Sequence, residues 1–219
     1  MPDAAPPATV SRLITYLRTV SDLLEQGVSN TSSEALAGAT HISAFQIRKD
    51  LAYFGTFGTR GSGYDVQVVH DRLREILGLT AVYNVAIIGM GRLGQAITDY
   101  PTFGEYGFRI RALLDHDPAR IGQAFADVTV SDSADMARVF RERDIEMALI
   151  TVPVHAAQAV ADQVVASGVT AILNFAPAVL SVPPDVAVES VDFLAGLKRL
   201  SYHLRGLPVL RASGRQQPV

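Results

Sequence analysis

Four apolar residues, Val85-Ala86-Ile87-Ile88, run without interruption into Gly89-Met90-Gly91-Arg92-Leu93-Gly94, and no other junction in the 219-residue chain restricts its fold as strongly. A strand with no polar alternation is one buried on both faces, which happens in parallel sheets covered by helices. Each glycine answers a separate need. The first permits a tight turn, the second lets backbone approach a pyrophosphate, and the third allows the helix to pack on the strand. The unpaired N–H groups that open the helix then face phosphate charge. Asp115 ends the next expected strand, 21 residues beyond Gly94, where a carboxylate accepts hydrogen bonds from an adenosine ribose. Its charge would repel a 2′-phosphate, so the pattern favours NAD(H) over NADP(H).

The following chain keeps the same rhythm. Residues 111–114, 147–151 and 171–174 read as further strands, with 154–167 a helix between the last two. Such alternation means a doubly wound parallel sheet with right-handed crossovers. Ligands bind at the carboxyl ends of its strands, so Thr151, Val152 and Pro153 join the glycine loop and Asp115 as cofactor candidates. A last helix is expected over 191–204, with a loose tail beyond it.

The front of the chain follows a different pattern. Val10, Leu13, Ile14, Leu17, Val20 and Leu24 recur at three and four, an amphipathic helix that Gln26-Gly27 stops. Thr31-x-x-Glu34 reads as a capping box opening a short second helix broken at Gly38, and Ser43-x-x-Gln46 as another opening a third over 44–54. Gly58, Gly61 and Gly63 punctuate a tight hairpin up to Tyr64-Asp65-Val66, and a fourth helix is expected over 69–77. On the third helix Ala44, Ile47, Leu51 and Phe54 share the core face. Lys49 and Phe45 lie opposite it, with Gln46 and Tyr53 on one flank and Arg48 on the other. That exposed set mixes base-reading and phosphate-binding side chains, as a helix in a DNA major groove requires. Arg60, flanked by glycines, is placed to present one guanidinium to a minor groove.

Other chemistries find little support. There is no cysteine, so disulfides and thiolate metal sites are excluded. No apolar run reaches a membrane-spanning length, and the amino terminus lacks the basic and apolar regions of a signal peptide, so a cytoplasmic location is expected. Of the five histidines only His155 follows a strand end where an acid or base could serve a nicotinamide, and it reads better as a polar residue of a helix start. A net charge of −3 is unusual for a DNA binder. Residues 1–78 carry seven Arg/Lys against eight Asp/Glu, which predicts modest non-specific affinity, while 193–219 hold five basic residues and no acidic one.

Taken together these segments closely resemble Rex, the redox-sensing transcriptional repressors of bacteria. The resemblance is carried by residues 11–18, by Phe45-Gln46-Ile47-Arg48-Lys49-Asp50-Leu51 and by Phe54-Gly55-x-Phe57-Gly58-x-Arg60-Gly61-x-Gly63-Tyr64. The glycine fingerprint, Asn174-Phe175-Ala176-Pro177 and residues 191–197 complete it. It implies a homodimer that binds a palindromic double-stranded operator when NAD⁺ prevails and is released by NADH, without catalysis, metal or membrane. By motif, Arg48, Lys49 and Arg60 look like DNA contacts, Thr31 and Ser32 lie near phosphate, and Ser43, Gln46 and Tyr64 complete the surface. Gly89 to Gly94 and Asp115 look like the cofactor cradle, with Tyr100, Asp192 and Phe193 on the nicotinamide side. Arg18, Tyr100 and Asp192 are candidates for a switch in which the last helix crosses to the other subunit.

The expected organisation is a winged helix-turn-helix over 1–79 (1–9 a disordered arm), a Rossmann-like NAD(H)-binding domain over 80–190, a swapped helix over 191–206 and a tail over 207–219. Two rival readings stay open. One is an NAD-dependent oxidoreductase with an appended helical domain, and the other a CoA-binding domain with a similar sheet.

Overall fold

The computed structural model describes residues 5–55, 57, 63–101 and 103–205. They fall in two units, one ending at Ala81 and the other running from Val82.

In the first unit helix α1 spans Pro7–Glu25, with proline in its first turn, where the missing N–H is not needed. Residues 7–9, expected to belong to a disordered arm, are helical instead, and Thr9 is buried. Leu13, Tyr16, Leu17 and Val20 face the core, whereas Val10 and Ile14, read as part of the same stripe, are exposed. Strand β1 (Asn30–Thr31) pairs antiparallel with β2 (Tyr64–Asp65). That pairing moves the start of helix α2 (Ser33–Thr40) by one residue. Thr31 sits in the ladder, and Ser32 is the cap, accepting the Ala35 N–H at 3.1 Å. The expected break at Gly38 does not occur; the helix continues to Thr40 and ends with His41 left-handed at φ 58°. One interior glycine weakens a helix but does not stop it.

Helix α3 (Ala44–Tyr53) is capped as expected by Ser43, whose hydroxyl accepts the Gln46 N–H at 3.2 Å. Ile47 and Leu51 pack on Leu36 of α2 and the inner face of α1. Helix α4 (Val66–Ile76) starts three residues before the expected 69, because Asp65 caps it by accepting the Val68 N–H at 3.0 Å. The wing tip, residues 56 and 58–62, lies outside the described residues, and with it Arg60.

The second unit carries strands β3 (Tyr83–Ile88), β4 (Phe108–Asp115), β5 (Ala124–Phe125), β6 (Val128–Asp132), β7 (Met147–Ile150), β8 (Ala171–Asn174) and β9 (Ala187–Ser190). Their order is β5-β6-β4-β3-β7-β8-β9, parallel except for the short β5. The order reverses at β3, so the crevice above β3 and β7 is the topological switch point where nucleotides bind. Helices α5 (Arg92–Thr98), α6 (Met136–Glu142) and α7 (Val154–Ala166) make the crossovers. Strands β6 and β9 and helix α6 were not legible in the sequence. β9 is mostly exposed and β6 alternates, so neither shows the apolar run that marks β3.

Helix α8 (Phe193–Leu204) begins two residues later than expected. Val191 still donates to the Asn174 carbonyl at 2.9 Å, as a strand residue would. Asp192 then caps the helix by accepting the Ala195 N–H at 3.0 Å. None of its residues is buried, and Phe193, Leu194, Leu197, Leu200 and Leu204 are all exposed. No described helix is long and apolar enough to cross a membrane.

Candidate functional site

The glycine loop is built from three positions with different constraints. Gly89 has φ +102°, and a Cβ there would lie 2.9 Å from Val152 Cγ1 and 3.0 Å from the Thr151 carbonyl carbon. A Cβ on Gly94 would come within 2.1 Å of the Gly89 oxygen. Both glycines are demanded by the protein itself, since backbone passes backbone at each. Gly91 is different. A Cβ there would meet nothing within 4 Å and its φ is an ordinary −70°, so no neighbour in the protein explains a glycine. Open space beside the one unconstrained glycine, at the start of a helix with no side-chain cap, suits a pyrophosphate.

Two side chains pin this loop. Thr151, at the end of β7, places its hydroxyl 2.6 Å from the Gly89 carbonyl and 3.0 Å from that of Ile88. Asp115, at the end of β4, is only 2% exposed. Its Oδ2 accepts the Met90 N–H at 2.6 Å and Arg120 Nη1 at 3.0 Å, and its Oδ1 accepts the Asp117 N–H at 2.9 Å. Burial pushes the Asp115 carboxyl up. The Asp117 N–H, the Arg120 guanidinium and the Met90 N–H outweigh it and hold the group below the usual carboxylate range. Asp115 is thus no solvated turn residue. It is charged and already engaged, and its first task is to tie the glycine loop to β4, which residue spacing did not reveal.

The remaining cofactor candidates divide. Met90 has a fully buried side chain, so it anchors the loop from inside. Arg92 and Leu93 are exposed on the first turn of α5, Val152 is half-buried, and Pro153 is exposed at the start of α7. Tyr100 is 60% exposed, with its ring edge-on to Phe103 at 6.3 Å, and Phe193 is also exposed. His155 is exposed on α7, and His116 lies 3.4 Å from Asp115 with its ring in solvent.

On the first unit, α3 presents Phe45, Arg48, Lys49 and Tyr53 outward. Gln46 does not point freely outward. Its amide donates to Asp50 Oδ1 at 2.8 Å, so the second half of the expected capping box is used elsewhere. Asp50 is the residue that sequence reasoning missed. It is 3% exposed and receives Arg12 Nε at 2.6 Å, Arg12 Nη2 at 2.7 Å and the Tyr16 hydroxyl at 2.8 Å. Burial pushes its carboxyl up, but the bonds from Arg12, Tyr16 and Gln46 hold it below the ordinary range. Burial, with the bond to Asp50, pushes the Tyr16 phenol well above its usual value. One signal was available: Asp50 lies three residues after Ile47 on the core face, and a carboxylate there must find a cation.

Arg48 bonds Ser33 and Glu34 at the start of α2, and Tyr64, half-buried on β2, stands beside that group. Thr31 and Ser32 are half-buried, and Ser43 is exposed as the cap of α3. Among the switch candidates, Arg18 is exposed on α1, while Asp192 already caps α8.

Comparisons with known proteins match both units. A family model described as "Putative DNA-binding protein N-terminus" matches residues 5–52, and one described as "CoA binding domain" matches residues 80–178. The redox-sensing transcriptional repressor Rex of Thermus thermophilus is 52% identical over 197 residues, covering 90% of this chain and 92% of that protein. Two crystal structures of RSP, a Rex-family repressor, share the fold. One, in complex with β-NAD⁺ and operator DNA, superposes with a TM-score of 0.89 at 38% identity, covering 92% of this chain and 93% of that one. The other, in complex with β-NADH, gives 0.86 at 36% identity, covering 93% and 95%.

Proposed function

The chain belongs to the Rex family of redox-sensing transcriptional repressors, and on that premise we propose that it binds a palindromic operator as a homodimer when NAD⁺ prevails and leaves it when NADH binds. One observation carries the cofactor half of this reading. Gly91 is the glycine that the protein does not need, beside a loop held rigid by Thr151 and Asp115. Relatives of the same fold bind β-NAD⁺, β-NADH and operator DNA, which supports the reading for this chain.

Residues take roles as follows. Lys49 and Arg48 of α3 read base edges in the major groove, with Thr31, Ser32, Ser43, Gln46 and Tyr64 around them and Arg60 at the minor groove. The backbone from Gly89 to Gly94 cradles the pyrophosphate, with Thr151, Val152 and Pro153 lining the far side of the crevice. Asp115 shapes that cradle and disfavours a 2′-phosphate by charge. The bound nicotinamide supplies no chemistry; its redox state is the signal, and no residue is assigned as acid or base.

The exposed apolar side of α8 is the element that crosses between subunits. Asp192 exchanges partners with Tyr100 and Arg18 as the cofactor changes. Such an exchange is bistable and turns a small site change into a domain rotation. A ligand shifts an equilibrium only through its differential affinity for the two states. A swing from 1:99 to 99:1 needs about 5.5 kcal/mol, under about 3 for each of two cofactors. The loss of one hydrogen-bonded charge contact is of that order.

The test is operator release at fixed salt, with NADH, NAD⁺, NADPH and CoA each titrated against the preformed complex. NADH alone should dissociate it. Release by CoA, or turnover of NADH with small carbonyls, would replace this reading with one of its rivals.

A further inference from the structure

Arg48 leaves α3 exposed, yet its guanidinium is engaged before any DNA arrives. Its Nη1 donates to the Ser33 hydroxyl at 2.6 Å and to Glu34 Oε1 at 2.8 Å. Ser33 is buried, and its hydroxyl donates in turn to Glu34 Oε2 at 3.1 Å, so it accepts from one partner and gives to the other. Glu34 stays ionised, because its own backbone N–H, the Arg48 guanidinium and the Ser33 hydroxyl all hold its carboxyl below the usual range. Tyr64, on β2, stands within the field of both charges. An exposed ion pair of this kind adds little to the stability of a fold.

Its consequences for a helix that reads DNA are larger. An arginine held in one pose before encounter loses less freedom on binding, and it offers its donor fork in a fixed direction. At the same time the carboxylate cancels the nearest cation, which weakens attraction to any phosphate backbone regardless of sequence. On the right sequence Arg48 meets base edges and gains from the fixed pose, whereas on a wrong one it could serve only as a phosphate contact, which the carboxylate weakens.

We infer that Glu34 is a specificity-determining residue of the DNA-reading surface, holding Arg48 in one pose together with Ser33 and withholding its charge from indiscriminate phosphate contact. The inference rests on the assignment of α3 as the reading helix. It accounts for a near-neutral unit whose outward helix still carries Arg48 and Lys49.

The experiment uses the full chain with two duplexes of equal length, one selected from a random pool by the wild-type protein and one scrambled. Glu34→Gln should bind the scrambled duplex several-fold more tightly at low salt. The slope of log K against log salt should steepen by about one per subunit, and the selected-to-scrambled ratio should fall about tenfold. Thermal stability and NADH affinity should stay at wild-type values. In an Arg48→Ala background the same substitution should no longer change the ratio. An unchanged ratio and slope in Glu34→Gln would overturn the inference, as would a full effect without Arg48. If the wild-type chain selects no sequence at all, the reading-helix assignment fails first, and that failure is distinguishable because NADH binding is unaffected by it.

Discussion

Among the described residues each unit buries one aspartate, and the two are held in opposite ways. Asp50 is gripped by side chains alone, from Arg12 and Tyr16 on α1 and from Gln46 one turn earlier on its own helix. Asp115 is gripped mainly by backbone, through the N–H groups of Met90 and Asp117, with the Arg120 guanidinium beside it. In the first unit an ion pair spanning 38 residues ties α3 to α1. In the second, a strand end holds a loop whose shape glycines already dictate. A helix can slide and roll on an apolar core, so a buried charge fixes its pose. A loop pressed between two strand ends needs only a tether.

The largest effect expected from this contrast is at Asp50. Asp50→Ala leaves Arg12 half-buried without its partner and the Tyr16 hydroxyl unmatched in the core. Breaking a buried pair by removing one member costs about 3–5 kcal/mol, which urea unfolding would read directly. Asp50→Asn should cost less, since it keeps the shape and part of the bonding. The pH dependence follows from the same bonds. The carboxyl titrates below its ordinary value in the folded state, so between the folded and unfolded pKa values the unfolded chain binds more protons. This stabilisation is complete above about pH 5 and is lost as pH falls below about 4, through the folded pKa. Asp50→Asn should flatten that acid limb of the stability profile. An acid limb as steep as that of wild type would assign it to other carboxylates.

Smaller effects separate the glycines. Gly94→Ala pushes a methyl against the Gly89 carbonyl and should cost about 1–3 kcal/mol of stability along with NADH affinity. Gly91→Ala has room and an allowed φ, so it should fold as well as wild type while losing NADH affinity. Equal damage to stability from both would break the claim that Gly91 is kept for the ligand. The smallest expected effect sharpens the comparison at Gln46. Gln46→Ala removes one of several bonds to Asp50 and should cost about 1 kcal/mol in unfolding, with base preference retained. A changed base preference at normal stability would make Gln46 a base reader rather than a neighbour of the residues that read.

This contrast also explains what was legible in advance. A loop fixed by backbone leaves its mark as strand, glycines, strand and acid in order, so the loop and the strand end beside it could be placed from spacing. A pose fixed by side chains leaves no periodic mark. Asp50 lies 38 residues from Arg12 and 34 from Tyr16, each of them is individually ordinary, and Glu34 looked like half of a capping box. Thr31 misled for a related reason: its place in the two-residue ladder with Tyr64 is a long-range fact that local capping rules do not contain. Helix α8 was legible as an element, and its exposed leucines were legible as a face in need of a partner.

The central claim is that one chain holds NADH and operator in mutually exclusive states. Coupling between two ligands is reciprocal, so each must weaken the other by the same factor. The decisive measurement is the affinity of NADH for the full protein with and without saturating operator at one salt concentration. The account predicts weaker NADH binding on DNA, by the factor by which NADH weakens operator binding. NADH affinity unchanged by operator would contradict it.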